Sequence, residues 1–193
     1  MAIPLQLIAL SLPAALYGTV RRMHGTSWRE VWRDLGWRWP SLKYFLWALL
    51  VAMLGGLFAI PAVLFMPKSI LESPSVNISG YAGMAPTAGT FLAILLREAF
   101  YIALGEEIFF RGLLGGWLMR RLGFLIGNTL QALLFLLPHL LLLLVSVALW
   151  PLLIAQLLAG WLLGWLRYRS DSILPGWLAH SLTNASSALI GIT

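Results

Sequence analysis

The amino-acid sequence predicts an all-α, polytopic membrane bundle of about six transmembrane helices, with both termini outside. The 193-residue chain is 60% hydrophobic and 10% charged, whereas a soluble domain carries about 25% charged residues. Its apolar residues form runs long enough to cross a hydrocarbon layer about 30 Å thick. Its basic residues fall in short gaps between these runs, which is typical of the loops of a membrane protein.

The apolar runs define the elements in order. One span each is predicted at residues 2–20, 44–66, 90–117 and 173–192, and the uncharged stretch 122–166 is long enough for two. We expect this hairpin to turn after His139 or near Trp150 and Pro151, because proline lacks a backbone donor. The first run also has the length of a signal peptide, but its charges follow the apolar stretch and two prolines interrupt it. An uncleaved anchor is therefore predicted.

The gaps predict the orientation. Ten of the 13 Lys and Arg residues lie in the alternate gaps 21–43, 120–121 and 167–169, which places these gaps in the cytoplasm. The Trp- and Arg-rich residues 24–40 predict a short helix in the headgroup layer, and residues 67–89 predict an outer loop. We therefore divide the chain into residues 1–89, with two spans, and a core of four spans at 90–193. The basic residues form no continuous stripe, so no nucleic-acid partner is expected.

Ionisable residues inside the spans are the candidate functional residues, because each costs at least about 2.5 kcal/mol in a bilayer. Glu107 and Arg111 are four residues apart, so they share a helix face and are expected to pair. Glu106 is rotated by about 100° from Glu107 and has no basic partner in its own helix. His180 and Asn184 are again four apart, which places an imidazole beside an amide.

The fourth span ends in Phe135 and His139, whose spacing predicts that the phenyl ring packs beneath the imidazole. Arg97 and Glu98, early in the third span, are interpreted as side chains that snorkel to the outer interface. A carboxylate with a histidine deprotonates water, and a second imidazole with an amide stabilises an oxyanion. This set predicts hydrolysis of a carbonyl compound inside the membrane.

Three motifs follow one another on successive apolar helices: Glu106-Glu107-x-x-x-Arg111, Phe135-x-x-x-His139 and His180-x-x-x-Asn184. Together they resemble the CAAX protease and bacteriocin-processing (CPBP) family, whose members include the type II CAAX prenyl endopeptidase. The resemblance implies a glutamate-dependent intramembrane endopeptidase. It implies that Glu106 and His139 activate water, that His180 and Asn184 form the oxyanion hole, and that Glu107, Arg111 and Phe135 support them.

The family resemblance further implies a peptide or protein substrate with a hydrophobic or lipidated C-terminal tail, either prenylated and CAAX-type or a sorting signal. The lipid bilayer is the second expected partner, and the cytoplasmic membrane of a prokaryote is the expected location. No cofactor is predicted. A zinc site of Glu106, His139 and His180 is the alternative, although no His-Glu-x-x-His motif is present. A transporter or scaffold with a buried proton relay is the other alternative function.

Overall fold

The structure, a computed structural model, describes residues 4–64, 70, 77–81 and 83–191. Within these ranges every regular element is a helix, which confirms the all-α prediction. The predicted span ends at residues 2, 66 and 192, and ten of the 23 residues of the outer loop 67–89, lie outside the described residues. The longer elements are α1 (Leu5–Met23), α2 (Trp28–Asp34), α3 (Lys43–Leu64), a 3₁₀ helix (Asn77–Tyr81), α4 (Ala88–Arg97), α5 (Gly116–His139), α6 (Leu142–Val145), α7 (Trp150–Ser170) and α8 (Leu174–Gly191).

The chain stays helical between α4 and α5, through residues 98–115, which we name the π segment. Its two π-helical stretches, Glu98–Ala103 and Glu107–Gly115, are separated by one short α-helical stretch, Leu104–Glu106. We expected regular α-helical spacing here, and this expectation was wrong. In a π-helix each backbone N–H bonds five residues back, and such turns are frequent at functional sites. All the ionisable residues of the third predicted span except Arg97 lie in this segment.

The chain reverses direction inside α5. Gly123 has φ 76° and ψ 170°, a conformation that glycine adopts without a Cβ clash. The two halves of the helix then lie against each other, since a Cβ on Gly127 would be 2.6 Å from the carbonyl carbon of Leu118. The second half ends at His139, and α7 begins at Trp150, so both predicted turn positions bound the next connection.

Helix α8 lies at the centre of the bundle, where it packs against α3, α4, α7 and the π segment. Small residues allow close approach of the helices, as is common in membrane bundles. A Cβ on Gly55 of α3 would be 3.0 Å from the Thr183 hydroxyl of α8, and a Cβ on Gly105 would be 2.9 Å from the Cα of Leu7 in α1. Helices α1 and α3 thus pack directly on the helices of residues 90–193.

The three basic gaps meet at one end of the bundle. The backbone carbonyl of Asp34 accepts hydrogen bonds from Arg120 and Arg167, both at 3.1 Å. Arg38 forms an ion pair with Asp171, at the turn between α7 and α8. The gaps that we predicted on the same side of a membrane therefore contact one another. Helix α2 is the short helix predicted within residues 24–40.

In the described part of the chain, two helical stretches are long and apolar enough to cross a membrane: Ala88–Val145, with 58 residues, and Val147–Ser170, with 24 residues. The first contains the reversal at Gly123, and Lys43–Phe58 forms a shorter apolar helix. Large apolar side chains face outward on several helices, for example Leu125 at 69% exposure and Leu144 at 83%. Such a surface is compatible with insertion into a membrane. The number of spans and the side of the termini stay predictions.

Candidate active site

One cavity of about 380 Å³ is lined by all four residues for which we predicted a catalytic role. Glu106 comes from the π segment, His139 from the end of α5, and His180 and Asn184 from α8. The packing of these helices thus brings together residues that are up to 78 positions apart in the sequence. The wall facing them is aliphatic and comes mainly from α3, α7 and α8, including Val51, Leu158, Leu162, Leu163 and Ala188.

Glu106 is 8% exposed and is held by groups from two other helices. Its Oε1 accepts a hydrogen bond of 2.7 Å from the Gln6 side-chain amide of α1, and its Oε2 lies 3.6 Å from His180 Nε2. Gly105 makes the first contact possible, because any side chain there would meet the backbone of α1. Gln6 had no predicted role, although an amide within the first apolar run was a signal that it faces other protein groups.

His139 is half-buried at the last position of α5. Its Nδ1 lies 2.8 Å from the backbone carbonyl oxygen of Phe135. A carbonyl only accepts, so Nδ1 carries the proton of this hydrogen bond, and Nε2 of the neutral ring is left with a lone pair. The rings of Phe135 and His139 pack with centroids 4.7 Å apart, which confirms the predicted contact.

His180 lies between the two adjacent carboxylates of the π segment. Its Nδ1 is 3.0 Å from Glu107 Oε1, and its Nε2 is on the side of Glu106. The bond to Glu107 fixes the rotation of the imidazole ring. Orientation of a reactive imidazole by a buried carboxylate is a recurring device in hydrolases.

Glu107 and Arg111 form the expected ion pair, with Nη1 and Oε1 3.2 Å apart and both side chains 0% exposed. The Arg111 guanidinium also lies 4.1 Å from the centroid of the Phe135 ring. Neither charged residue lines the cavity. Gly176 of α8 makes room for Glu107, because a Cβ there would be 2.9 Å from Oε2. This ion pair therefore contacts two residues that line the cavity, His180 and Phe135, without lining it itself.

Asn184 contacts a residue to which we had given no role at the site. Its Nδ2 donates a hydrogen bond of 3.2 Å to Oε2 of Glu98, which also lines the cavity. Our interpretation of Glu98 as a snorkelling side chain was wrong, since it is 0% exposed. Tyr81 donates a hydrogen bond to its other oxygen, and the Arg97 guanidinium lies 3.2 Å from that oxygen. The eight-residue spacing of Glu98 and Glu106 was a signal that both could line one site, because positions seven or eight apart share a helix face.

Among the described residues, no group of three His, Asp or Glu side chains is arranged to hold a metal ion. Glu106 and His180 are adjacent, and His139 lines the same cavity. The metal-free and zinc-dependent hypotheses consequently both use residues of this cavity, and a measurement of metal dependence is needed to distinguish them.

Comparison with known proteins identifies one family. The family model described as type II CAAX prenyl endopeptidase Rce1-like matches residues 88–186, about half of the chain. This stretch contains all four residues with a predicted catalytic role, whereas Gln6 lies outside it. No curated protein and no solved structure matches the chain significantly. The family match confirms the resemblance that the three motifs predicted.

Proposed function

Because the chain belongs to the type II CAAX prenyl endopeptidase Rce1-like family, whose members are membrane peptidases, we propose that it is an intramembrane, glutamate-dependent endopeptidase. Its reaction is cleavage near the C-terminal tail of membrane-associated or exported proteins. The observation that supports this proposal is the shared cavity, in which a carboxylate, two imidazoles and an amide surround one space.

Glu106 and His139 activate the attacking water in this mechanism. The lone pair of His139 Nε2 and the Glu106 carboxylate accept hydrogen bonds from the water, and Glu106 removes its proton. The water oxygen bonds to the carbonyl carbon of the scissile peptide, and the carbonyl electron pair moves to oxygen. When the tetrahedral intermediate collapses, the C–N bond breaks, and Glu106 returns the proton to the leaving nitrogen. The products are a carboxylic acid and an amine, and transfer of the acid's proton to the amine gives a carboxylate and an ammonium group.

His180 and Asn184 stabilise the oxyanion of the intermediate. For Nε2 of His180 to donate to the oxyanion while Nδ1 donates to Glu107, both ring nitrogens carry protons. Glu107 then acts as the counter-charge of that ring, and Arg111 balances Glu107. Donors held in place before the reaction lower the barrier most, because they need no reorganisation during it.

The aliphatic wall of the cavity supports an apolar substrate segment, either a prenylated CAAX-type tail or a sorting-signal tail. We further propose six spans, with the joined basic gaps in the cytoplasm and both termini outside, in a prokaryotic cytoplasmic membrane.

We also propose that the reaction needs no metal. A millimolar chelator is expected to leave cleavage unchanged. Loss of cleavage that added zinc restores would instead support a zinc site at Glu106, His139 and His180.

The experiment that tests the proposed function compares cells that carry the native chain with cells that carry Glu106→Ala. Mass spectrometry of the C-terminal peptides of membrane and secreted proteins detects the substrates directly, whatever their sequence. A defined set of tails that stays uncut only in the variant supports the protease and identifies the substrate class. Identical termini, with equal amounts of folded protein, refute the protease and favour the transporter or scaffold alternative.

A further inference from the structure

Glu98 is the buried ionisable group of the cavity that the mechanism above does not use. Its Oε2 accepts the 3.2 Å hydrogen bond from Asn184 Nδ2, and both residues line the cavity. An ionised carboxylate only accepts hydrogen bonds, so the amide of Asn184 must turn its NH₂ group toward it. The opposite rotation would place Asn184 Oδ1 against a carboxylate oxygen. The contact therefore decides which end of the Asn184 amide is a donor.

The other carboxylate oxygen of Glu98, Oε1, contacts two different donors. Oε1 accepts a hydrogen bond from the Tyr81 hydroxyl and lies 3.2 Å from Arg97 Nη1. The Arg97 guanidinium also lies 5.1 Å from the centroid of the Tyr81 ring. This arrangement gives Oε1 and Oε2 different partners, with Asn184 on Oε2. It also balances the negative charge of Glu98, which would otherwise oppose an oxyanion formed nearby.

We propose that Glu98 is a positioning residue that acts through Asn184. It takes one hydrogen of Nδ2 and leaves the second hydrogen to be donated to the oxyanion. This inference rests on the proposed function, because it needs Asn184 in the oxyanion hole. It adds a fourth polar residue of the π segment to the site, at a position that the three sequence motifs do not include.

A double-mutant cycle in kcat tests the proposal. The probe is an internally quenched, farnesylated peptide with a CAAX terminus, and the variants are Glu98→Gln, Asn184→Ala and the double variant. Glutamine keeps the size of Glu98 but presents either an oxygen or an NH₂ group, so it no longer selects one rotation of the amide. Removing an oxyanion donor costs about 100-fold or more in kcat, and removing a group that orients one costs on the order of 10-fold.

We expect Glu98→Gln to lower kcat by about 10-fold with KM nearly unchanged, and to have no further effect in the Asn184→Ala background. The exposed Glu30→Gln is the matched control and should leave both constants unchanged. A loss of the same size in both backgrounds, or no loss in the native background, overturns the proposal. Normal cleavage by Asn184→Ala and by Glu106→Ala would refute the proposed function instead.

Thermal unfolding of each variant shows whether it is folded. Should Glu98→Gln not fold, Tyr81→Phe takes its place in the cycle, because it removes one of the two donors to Oε1 and leaves Asn184 unchanged. A smaller kcat loss that vanishes in the Asn184→Ala background supports the proposal, and absence of a loss or a loss that persists there overturns it.

Discussion

The buried pair of Glu107 and Arg111 predicts an asymmetry between two single substitutions. Glu107 has two polar partners, Arg111 at 3.2 Å and His180 at 3.0 Å. Arg111 has one carboxylate in ion-pair contact among the described residues, and none of its three nitrogens has a hydrogen bond of good geometry there. The face of the Phe135 ring is the other group that stabilises the positive charge of Arg111. Loss of Glu107 therefore leaves a buried guanidinium without an ionic partner, whereas loss of Arg111 leaves a carboxylate that still contacts an imidazole.

The size of the expected loss in unfolding free energy follows from the distance between the two charges and from their burial. Two unit charges 3.2 Å apart attract by about 5 kcal/mol at an effective dielectric constant of about 20. Breaking a buried pair by removing one partner costs about 3–5 kcal/mol. We expect Glu107→Gln to lower the free energy of unfolding by about 5 kcal/mol and Arg111→Met by about 3 kcal/mol. The double variant should lose less than either single variant, because it buries no uncompensated charge.

The assay is unfolding in detergent by titration with sodium dodecyl sulfate, followed by tryptophan fluorescence and far-UV circular dichroism. The chain has ten Trp residues, so the fluorescence signal is strong. The exposed Arg121→Met is the control, and it should stay within about 0.5 kcal/mol of the native chain. Equal losses of unfolding free energy for Glu107→Gln and Arg111→Met, or a double variant whose loss is the sum of the two, would refute the predicted asymmetry.

Two further predictions concern helix contacts outside the ion pair. Gly105→Ala places a methyl group 2.9 Å from the Cα of Leu7, so it should displace α1 and lower kcat by roughly 10-fold or more. Gly80→Ala, whose methyl group would meet no atom of the described residues within 4 Å, should leave kcat unchanged, and equal kcat values for both variants would contradict this. Hydrogen bonds from the side chain and backbone of Ser27 hold the pKa of Glu30 below its ordinary value of 4.5, so they stabilise α2 above that pH and are lost as the pH falls through the lowered pKa. The protection factors of the α2 amides, which correct for the pH dependence of intrinsic exchange, should therefore fall in acid, and a Ser27→Ala variant with native protection factors in neutral solution would contradict this prediction.

Local contacts at the site were predictable from spacing alone. The pairs Glu107 with Arg111 and Phe135 with His139 are each separated by four residues, and both contacts are present. Such pairs lie within one helix, where residues four apart are neighbours, and the contact between Glu107 and Arg111 is kept in the π-helical stretch. The turn after His139 was predictable for a similar reason, because proline and a long apolar run limit where a chain can reverse.

Long-range contacts were not predictable in the same way. Gln6 reaches Glu106 across 100 residues of sequence, and Asn184 reaches Glu98 across 86. Both contacts depend on which face each helix presents to its neighbours. Apolar residues surround these helices on all sides, so periodicity does not report that face. The π-helical geometry of residues 98–115 was missed because backbone hydrogen-bond pattern has no clear signature in this sequence.

The amino-acid sequence predicted the helical class, the positions of most helix ends and a small set of ionisable residues as candidates for the chemistry. It did so because apolar runs form helices in lipid and because a buried charge is too costly to occur without a function or a partner. The folded structure was needed to show which of these groups meet in one cavity, that Glu98 is buried beside Asn184, and that α1 contributes Gln6. These contacts arise from helix packing, which small residues such as Gly105 permit and which the similar apolar surfaces of the helices leave unspecified.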